Sequence, residues 1–296
     1  MDTILNIRDL SKSYGHIKAV DKLNLKVEKG DIFGILGPNG SGKTTTLGMI
    51  LSILKADSGS FEWFGGQFGT NPRKKIGAIL ETPNFYPYKT GIENLKIVAK
   101  IKGINNFDFD SVMRLVNLEQ RKTSKFRTYS LGMKQRLAIA ATMIGNPEVV
   151  IFDEPTNGLD PKGIAEVRTI LKRVSESGRS VIMASHILDE VEKICSHVAI
   201  IKNGKLLSTG LVGELLSDDY LVEINAFDDE KLKSFMKNSP YINTIKKSNK
   251  YWTCTVDKNI PAEIISKEAF NNGLILSHFV IRKQSLEEEF LTITKT

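Results

Sequence analysis

The run Gly37-Pro38-Asn39-Gly40-Ser41-Gly42-Lys43-Thr44 fits G-x-x-x-x-G-K-[ST], a spacing suited to holding phosphate groups. Its glycines let successive backbone N–H groups wrap an anion, Lys43 supplies a point charge, and the Thr44 hydroxyl can hold Mg2+. A helix opening just beyond the run aims its positive end at the same phosphates. A second element, Val149-Val150-Ile151-Phe152-Asp153-Glu154, is an apolar strand ending in adjacent carboxylates. Side chains alternate along a strand, so the two acids need not share one job. Beside a phosphate loop, Asp153 would bind Mg2+ directly or through water, and Glu154 would orient or deprotonate an attacking water. His186 follows the apolar stretch Val181 to Ala184. That is the strand end where α/β sheets place ligands, and from there the ring could bond a γ-phosphate. Alone, a histidine in that position is usually structural.

These groups need a sheet to carry them. Apolar, β-branched runs alternate with longer helical patterns through residues 1 to 215, which predicts an α/β fold. Strands are expected at Leu23 to Val27, Ile32 to Leu36, Ile76 to Leu80, Val149 to Phe152, Val181 to Ala184 and Val198 to Ile201, with a helical run from Thr45 to Leu54 after the phosphate loop. The pattern turns mostly helical between Pro83 and Gly145. Thr90-Gly91-Ile92-Glu93 has the form of a capping box, a second helix is expected from about Asp110, and a third from about Ser130 to Ile144. After Gly210 the character changes again, and short alternating segments such as Tyr251 to Val256 suggest a small α+β appendage. The expected division is therefore residues 1–216, with a helical insert over about 84–146, followed by an accessory domain over 217–296.

Composition narrows the function classes. The longest apolar stretches fall far short of the roughly 18 to 20 residues of a spanning helix. The amino terminus, Met1-Asp2-Thr3-Ile4-Leu5, has no secretory pattern, so a cytoplasmic protein is expected. Cys195 and Cys254 stand far apart, form no C-x-x-C pair, and are expected to be reduced structural thiols. Residues 217–296 carry 11 Lys and Arg against 12 Asp and Glu, leaving 30 against 22 in the first 216. The basic excess thus accompanies the phosphate loop. No long Lys/Arg run or aromatic-interleaved basic stripe is present, and nucleic acid is not an expected partner.

Taken together, residues 1 to 215 resemble the nucleotide-binding domains of ABC transporters, a group of P-loop NTPases. Residues 37 to 44 match the Walker A loop, Val149 to Asp153 the Walker B strand, Glu154 the catalytic glutamate, Asn157 to Asp160 the D-loop and His186 the switch histidine. Tyr14, in Ser11-Lys12-Ser13-Tyr14-Gly15, is similar to the aromatic residue that stacks on adenine. Tyr129-Ser130-Leu131-Gly132-Met133-Lys134-Gln135-Arg136 stands where the family has Leu-Ser-Gly-Gly-Gln. Ser130 and Gly132 are retained, whereas Leu131 and Met133 depart from the pattern, and their side chains must point away from the nucleotide if the site is to close. The resemblance implies ATP and Mg2+ as cofactors. Nucleotide contacts would come from Tyr14, Gly37 through Thr44, Thr45, Ser130, Gly132 and Asp160, and metal contacts from Thr44, Asp153 and Glu81. It also implies two such domains, as a homodimer or heterodimer, sandwiching two ATP molecules. The chain would sit on the inner face of the cell membrane through membrane-spanning permease subunits.

Glu81 stands where most of the family has a glutamine. With the segment Tyr129 to Arg136, this resembles the subunits that export bacitracin-like peptides or protect lantibiotic producers. Ser285 to Leu291 is similar to the tail of drug- and peptide-export ATPases. The alternative is a soluble ABC ATPase acting on ribosomes or nucleic acid. Translation-factor members usually hold two fused modules, and DNA-repair members carry long coiled coils or zinc motifs, none of which this sequence has. A P-loop kinase or small GTPase would not account for Ser130 to Arg136.

Overall fold

A computed structural model describes residues 2–68, 71–80, 84–215, 220–248, 250–257, 259–283, 286 and 290. Two compact units divide between Val212 and Gly213. The first is built on a sheet of six strands: β3 (Ile32–Leu36), β5 (Ile76–Ile79), β6 (Val149–Asp153), β7 (Ser180–Ser185), β8 (His197–Lys202) and β9 (Lys205–Leu211), in the order β5-β6-β7-β3-β8-β9. The first five in that order run parallel, and β9 returns antiparallel along β8. β6 and β7 are buried at every residue. A parallel strand covered on both faces reads as an unbroken apolar run, which is why Val149 to Phe152 shows no alternation. Because β6, β7 and β3 are adjacent and parallel, their carboxyl ends lie side by side at one edge.

Three more strands, β1 (Thr3–Tyr14), β2 (Ile17–Glu28) and β4 (Ser58–Trp63), form an antiparallel sheet in the order β2-β1-β4. Leu23, Leu25 and Val27 point inward from β2, while Asn24 and Lys26 point out. The inward face packs with α1 (Lys43–Ile50) and with Phe33 and Ile35 of β3 in one core. Sequence reasoning missed β1, β4 and β9 and gave only half of β2. In β1 the alternation is broken by register shifts, one of them between Ile7 and Leu10, where Asp9 holds φ 48°. Helix α1 also stops four residues short of the expected Leu54. Ser52 turns to φ 58°, and the Ile53 and Leu54 amides both donate back to the Gly48 carbonyl.

The helical stretch contains α2 (Gly91–Ile101), α3 (Phe109–Leu115) and α4 (Leu131–Thr142). At the start of α2, Thr90 Oγ1 accepts from the Glu93 amide at 3.2 Å, and Glu93 Oε2 accepts from the Thr90 amide at 2.7 Å. The buried Asn94 side chain ties the preceding turn to this helix through the Tyr86 amide and the Tyr86 and Thr90 carbonyls. Thr90→Ala strips the cap and is expected to cost about 1 kcal/mol. For a unit of this size, thermal denaturation should show the midpoint lowered by about 2–4 °C. An unchanged midpoint would mean that the box contributes nothing.

Helices α5 (Pro161–Glu176) and α6 (Leu188–Ile194) complete the first unit, and α7 (Val212–Leu215) follows β9. The second unit runs β10 (Tyr220–Ala226), α8 (Asp229–Asn238), β11 (Ile242–Lys247), β12 (Trp252–Val256), α9 (Ala262–Asn271), β13 (Leu276–Lys283). Its strands pair antiparallel in the order β11-β12-β10-β13, a split β-α-β-β-α-β arrangement. Val222, Ile224, Trp252, Cys254 and Val256 face a core completed by Leu232, Phe235, Met236, Ile265 and Ala269 from the two helices. No helix among the described residues is long and apolar enough to cross a membrane.

Both cysteines are free and buried. Burial pushes the Cys254 thiol up to about 12 and the Cys195 thiol higher still. Neither is a thiolate at neutral pH, so neither should react with a disulfide reagent in the folded protein, and both should react on unfolding. A fast-reacting thiol in the native state would contradict this packing.

Candidate nucleotide site

The phosphate loop leaves β3 where the Gly37 amide donates to the Ser185 carbonyl of β7 at 3.3 Å. Two close approaches then fix its path. A Cβ on Gly37 would collide with the Ile201 carbonyl, and one on Gly42, at φ 104°, would collide with the Ala19 carbonyl of β2. The Gly204 amide, in the β8–β9 turn, donates to the Ser41 carbonyl at 3.0 Å. The loop is thus clamped by strands on both sides, while Pro38, Asn39 and Gly40 stay exposed at its tip. Gly40, at φ 79°, lets the tip turn back toward α1.

Lys43 is buried and donates Nζ–H to the carbonyls of Gly37 at 2.8 Å and Pro38 at 3.3 Å. The same Nζ lies 3.4 Å from Glu154 Oε1. Thr44 Oγ1 donates to Asp153 Oδ2 at 2.7 Å. The adjacent acids therefore diverge: Asp153, the last residue of β6, turns to Thr44, and Glu154, at φ 49°, turns to Lys43 and His186. His186 Nδ1 stands 2.8 Å from Glu154 Oε2, and the His186 amide donates to the same oxygen at 3.3 Å. One carboxylate spans two basic groups, one from the start of α1 and one from the turn after β7.

Ser41 Oγ is buried with no hydrogen-bond partner among the described residues. An orphaned hydroxyl, exposed amides at the tip and a lysine turned onto its own loop carbonyls fit a cradle for an anion. Thr44 and Asp153 offer two hard oxygens side by side, the chemistry Mg2+ prefers. No cluster of three or more His, Cys, Asp or Glu among the described residues could hold a metal unaided. Thr45, the next residue of α1, is partly buried behind Thr44.

The remaining expected residues fall in other places. Tyr14 is half-exposed at the tip of the β1–β2 hairpin, with Lys12 Nζ 5.7 Å from its ring centre. The same hairpin supplies the Ala19 carbonyl that abuts Gly42. Ser130 caps α4, its Oγ accepting from the Met133 amide at 3.3 Å, and Asp160 caps α5, its carboxylate accepting from the Gly163 amide at 2.9 Å. Ser130, Gly132 and Asp160 line a cleft of about 410 Å3 that shares no lining residue with the phosphate loop. Glu81 lies outside the described residues. Sequence reasoning missed Ser185, whose carbonyl anchors Gly37 and whose Oγ accepts from the Ile187 amide, holding the turn at His186. Its only signal was its place between an apolar strand and a histidine.

A parallel sheet that delivers a glycine loop, a Thr–Asp pair and a second acid to one edge defines a P-loop nucleoside triphosphatase. Residues 20–157 match the family described as ABC transporter. The bacitracin transport ATP-binding protein BcrA of Bacillus licheniformis is 47% identical over 212 residues, covering 70% of this chain and 69% of that protein. BcrA of Enterococcus faecalis is 35% identical over 295 residues, covering 98% of this chain and 96% of the other. Among solved structures, cbiO1 from Clostridium perfringens, part of the ABC transporter complex cbiONQ, matches with a TM-score of 0.65 at 27% identity, over 73% of this chain and 91% of that one. The chain belongs to the ABC transporter family, as one of its ATP-binding and ATP-hydrolysing subunits working with Mg2+. A ribosome or nucleic-acid factor is not the favoured reading.

Proposed function

We propose that this subunit powers export of an antimicrobial peptide of the bacitracin kind, at the inner face of the membrane, through a membrane-spanning permease. The observation that carries this is the match to a bacitracin transport protein over 98% of the chain, including the second unit. In this reading two copies, or this chain and a similar one, face each other. Ser130 and Gly132 of each then approach the phosphate held by the other's Lys43 and loop amides. Thr44 and Asp153 would hold Mg2+, which would neutralise charge on the phosphates.

Glu154 acts as the general base. Its carboxylate takes a proton from the water that attacks the γ-phosphorus, the bond to the β-phosphate oxygen breaks, and ADP and phosphate leave. The 2.8 Å contact from His186 and the 3.4 Å contact from Lys43 support this role, because they keep the carboxylate oriented until a phosphate draws both side chains away. Tyr14 stacks on the base, and Asp160 stiffens the start of α5 at the dimer face. Glu81, in this proposal, passes the state of the nucleotide and its metal to the permease. Residues 217–296 hold none of these groups and serve regulation or partner contact.

Producing the chain with its permease in a bacitracin-sensitive bacterium tests the proposal. Wild type should raise the inhibitory concentration of bacitracin, Glu154→Gln should not, and the chain should sediment with membranes only when the permease is present. Equal protection by both forms, or none by either for any peptide antibiotic tried, would reject the export reading.

A further inference from the structure

The departure at Leu131 has a structural partner. Leu131 and Gly132 open α4, and Gly158 and Leu159 lie in the loop between β6 and α5. A methyl group placed on Gly158 would stand 3.4 Å from Leu131 Cδ2, and one placed on Gly132 would stand 4.0 Å from Leu159 Cδ2. Each leucine therefore lies over the other segment's glycine. Gly158 holds φ 74°, a conformation that glycine adopts without strain, and the Leu131 side chain lies beside it without filling the space of a Cβ. Further along the same cleft, Arg136 of α4 lies 3.4 Å from Glu166 of α5. The beginnings of the two helices thus approach at two leucine–glycine pairs, with Leu131 still 45% exposed, and are joined by an ion pair.

The loop beyond Glu154 is short and tightly bonded. The Asn157 amide donates to the Glu154 carbonyl at 3.1 Å, and the Leu159 amide to the Thr156 carbonyl at 3.2 Å. Asp160 then caps α5. From the base to Leu159 the chain makes two successive turns with little slack. A displacement of the Ser130 end of α4 is carried through the Leu131–Gly158 and Gly132–Leu159 contacts into the segment that aims the Glu154 carboxylate.

We infer that Leu131 and Leu159 are positioning residues that lock the Ser130–Gly132 segment to the Glu154 loop of the same chain, so that engagement of the opposite nucleotide sets the base in place. This rests on the two-copy reading above. It also answers where the Leu131 side chain goes: it is laid across Gly158, and the Ser130 hydroxyl and Gly132 remain at the helix start. Misplacement of a reacting group by about 1 Å can cost about 100-fold in rate, so loosening this lock should be read in turnover and not in affinity.

The test is a double-mutant cycle in the full-length protein, with Leu131→Ala, Leu159→Ala, the double variant and Leu131→Met. Phosphate release is followed against ATP concentration with Mg2+ at several protein concentrations, and binding of a fluorescent ATP analogue reports whether each variant is folded. Each alanine variant should lower kcat by about tenfold, with KM and analogue affinity within about twofold of wild type. The double variant should be no more than about twofold below the worse single one, because both break one lock. Leu131→Met, which can still cross Gly158, should recover at least half of the turnover. Losses that multiply in the double variant, or weakened analogue binding at unchanged kcat, would overturn the proposal. Full wild-type turnover by a protein that light scattering shows to remain monomeric with ATP and Mg2+ would instead reject the two-copy reading on which it stands.

Discussion

Glu154→Gln should lower ATP turnover by about 10²–10⁴-fold, the range typical of a lost general base, while ATP still binds. Glutamine keeps the shape of the side chain but cannot take a proton from water. The present contacts sharpen the expectation. Glu154 lies 3.4 Å from Lys43 and 2.8 Å from His186, so it competes with a γ-phosphate for both groups. Removing its charge releases Lys43 and lessens repulsion of an incoming triphosphate, so affinity should hold or rise. With hydrolysis blocked, ATP and Mg2+ should leave the variant trapped as the two-copy sandwich. Single-turnover phosphate release and light scattering with and without ATP give the two readouts. A strictly monomeric variant at saturating ATP with near-wild-type turnover would remove Glu154 from the role of base.

Much of this site was legible because its parts are local. Gly37 to Thr44 is contiguous, and its backbone conformation follows from where the glycines fall. Asp153 and Glu154 close an apolar run that reads as a strand from its composition alone. The long-range closures were not legible. Nothing near Gly42 announces that the Ala19 carbonyl, from another sheet, will press on it, and nothing near Ser41 names the Gly204 amide. Strand β1 was missed for a related reason: its bulges satisfy pairing with β2 and β4 at once and erase the period that sequence reading depends on. Leu131 looked like a defect in a motif because its neighbour in the fold, Gly158, lies in a segment read for a different purpose. In the second unit, the alternation of Tyr251 to Val256 gave away a strand, but the order β11-β12-β10-β13 is decided by pairings far apart in the chain.

Gly42→Ala carries the other large expected effect, and a control glycine separates its two causes. Gly42 combines φ 104° with a collision between any Cβ and the Ala19 carbonyl. Gly178 has a similar φ of 86°, yet a Cβ there meets nothing within 4 Å. Holding alanine at such a φ costs on the order of 1–3 kcal/mol wherever it occurs. Gly178→Ala should therefore lower the melting temperature modestly and leave ATP affinity untouched. At Gly42 the same strain comes with backbone on both sides, since neither β2 nor the loop can move without breaking the core that holds Leu23 and Val20. The loop has to open instead, which withdraws its amides and the start of α1 from the phosphates. ATP affinity should fall by about 100-fold or more, the equivalent of about 3 kcal/mol. Calorimetric titration of ATP into both variants, beside their melting curves, makes the comparison. Equal small effects in the two would mean that the clamp between Gly42 and Ala19 yields easily and that the loop is shaped by φ alone.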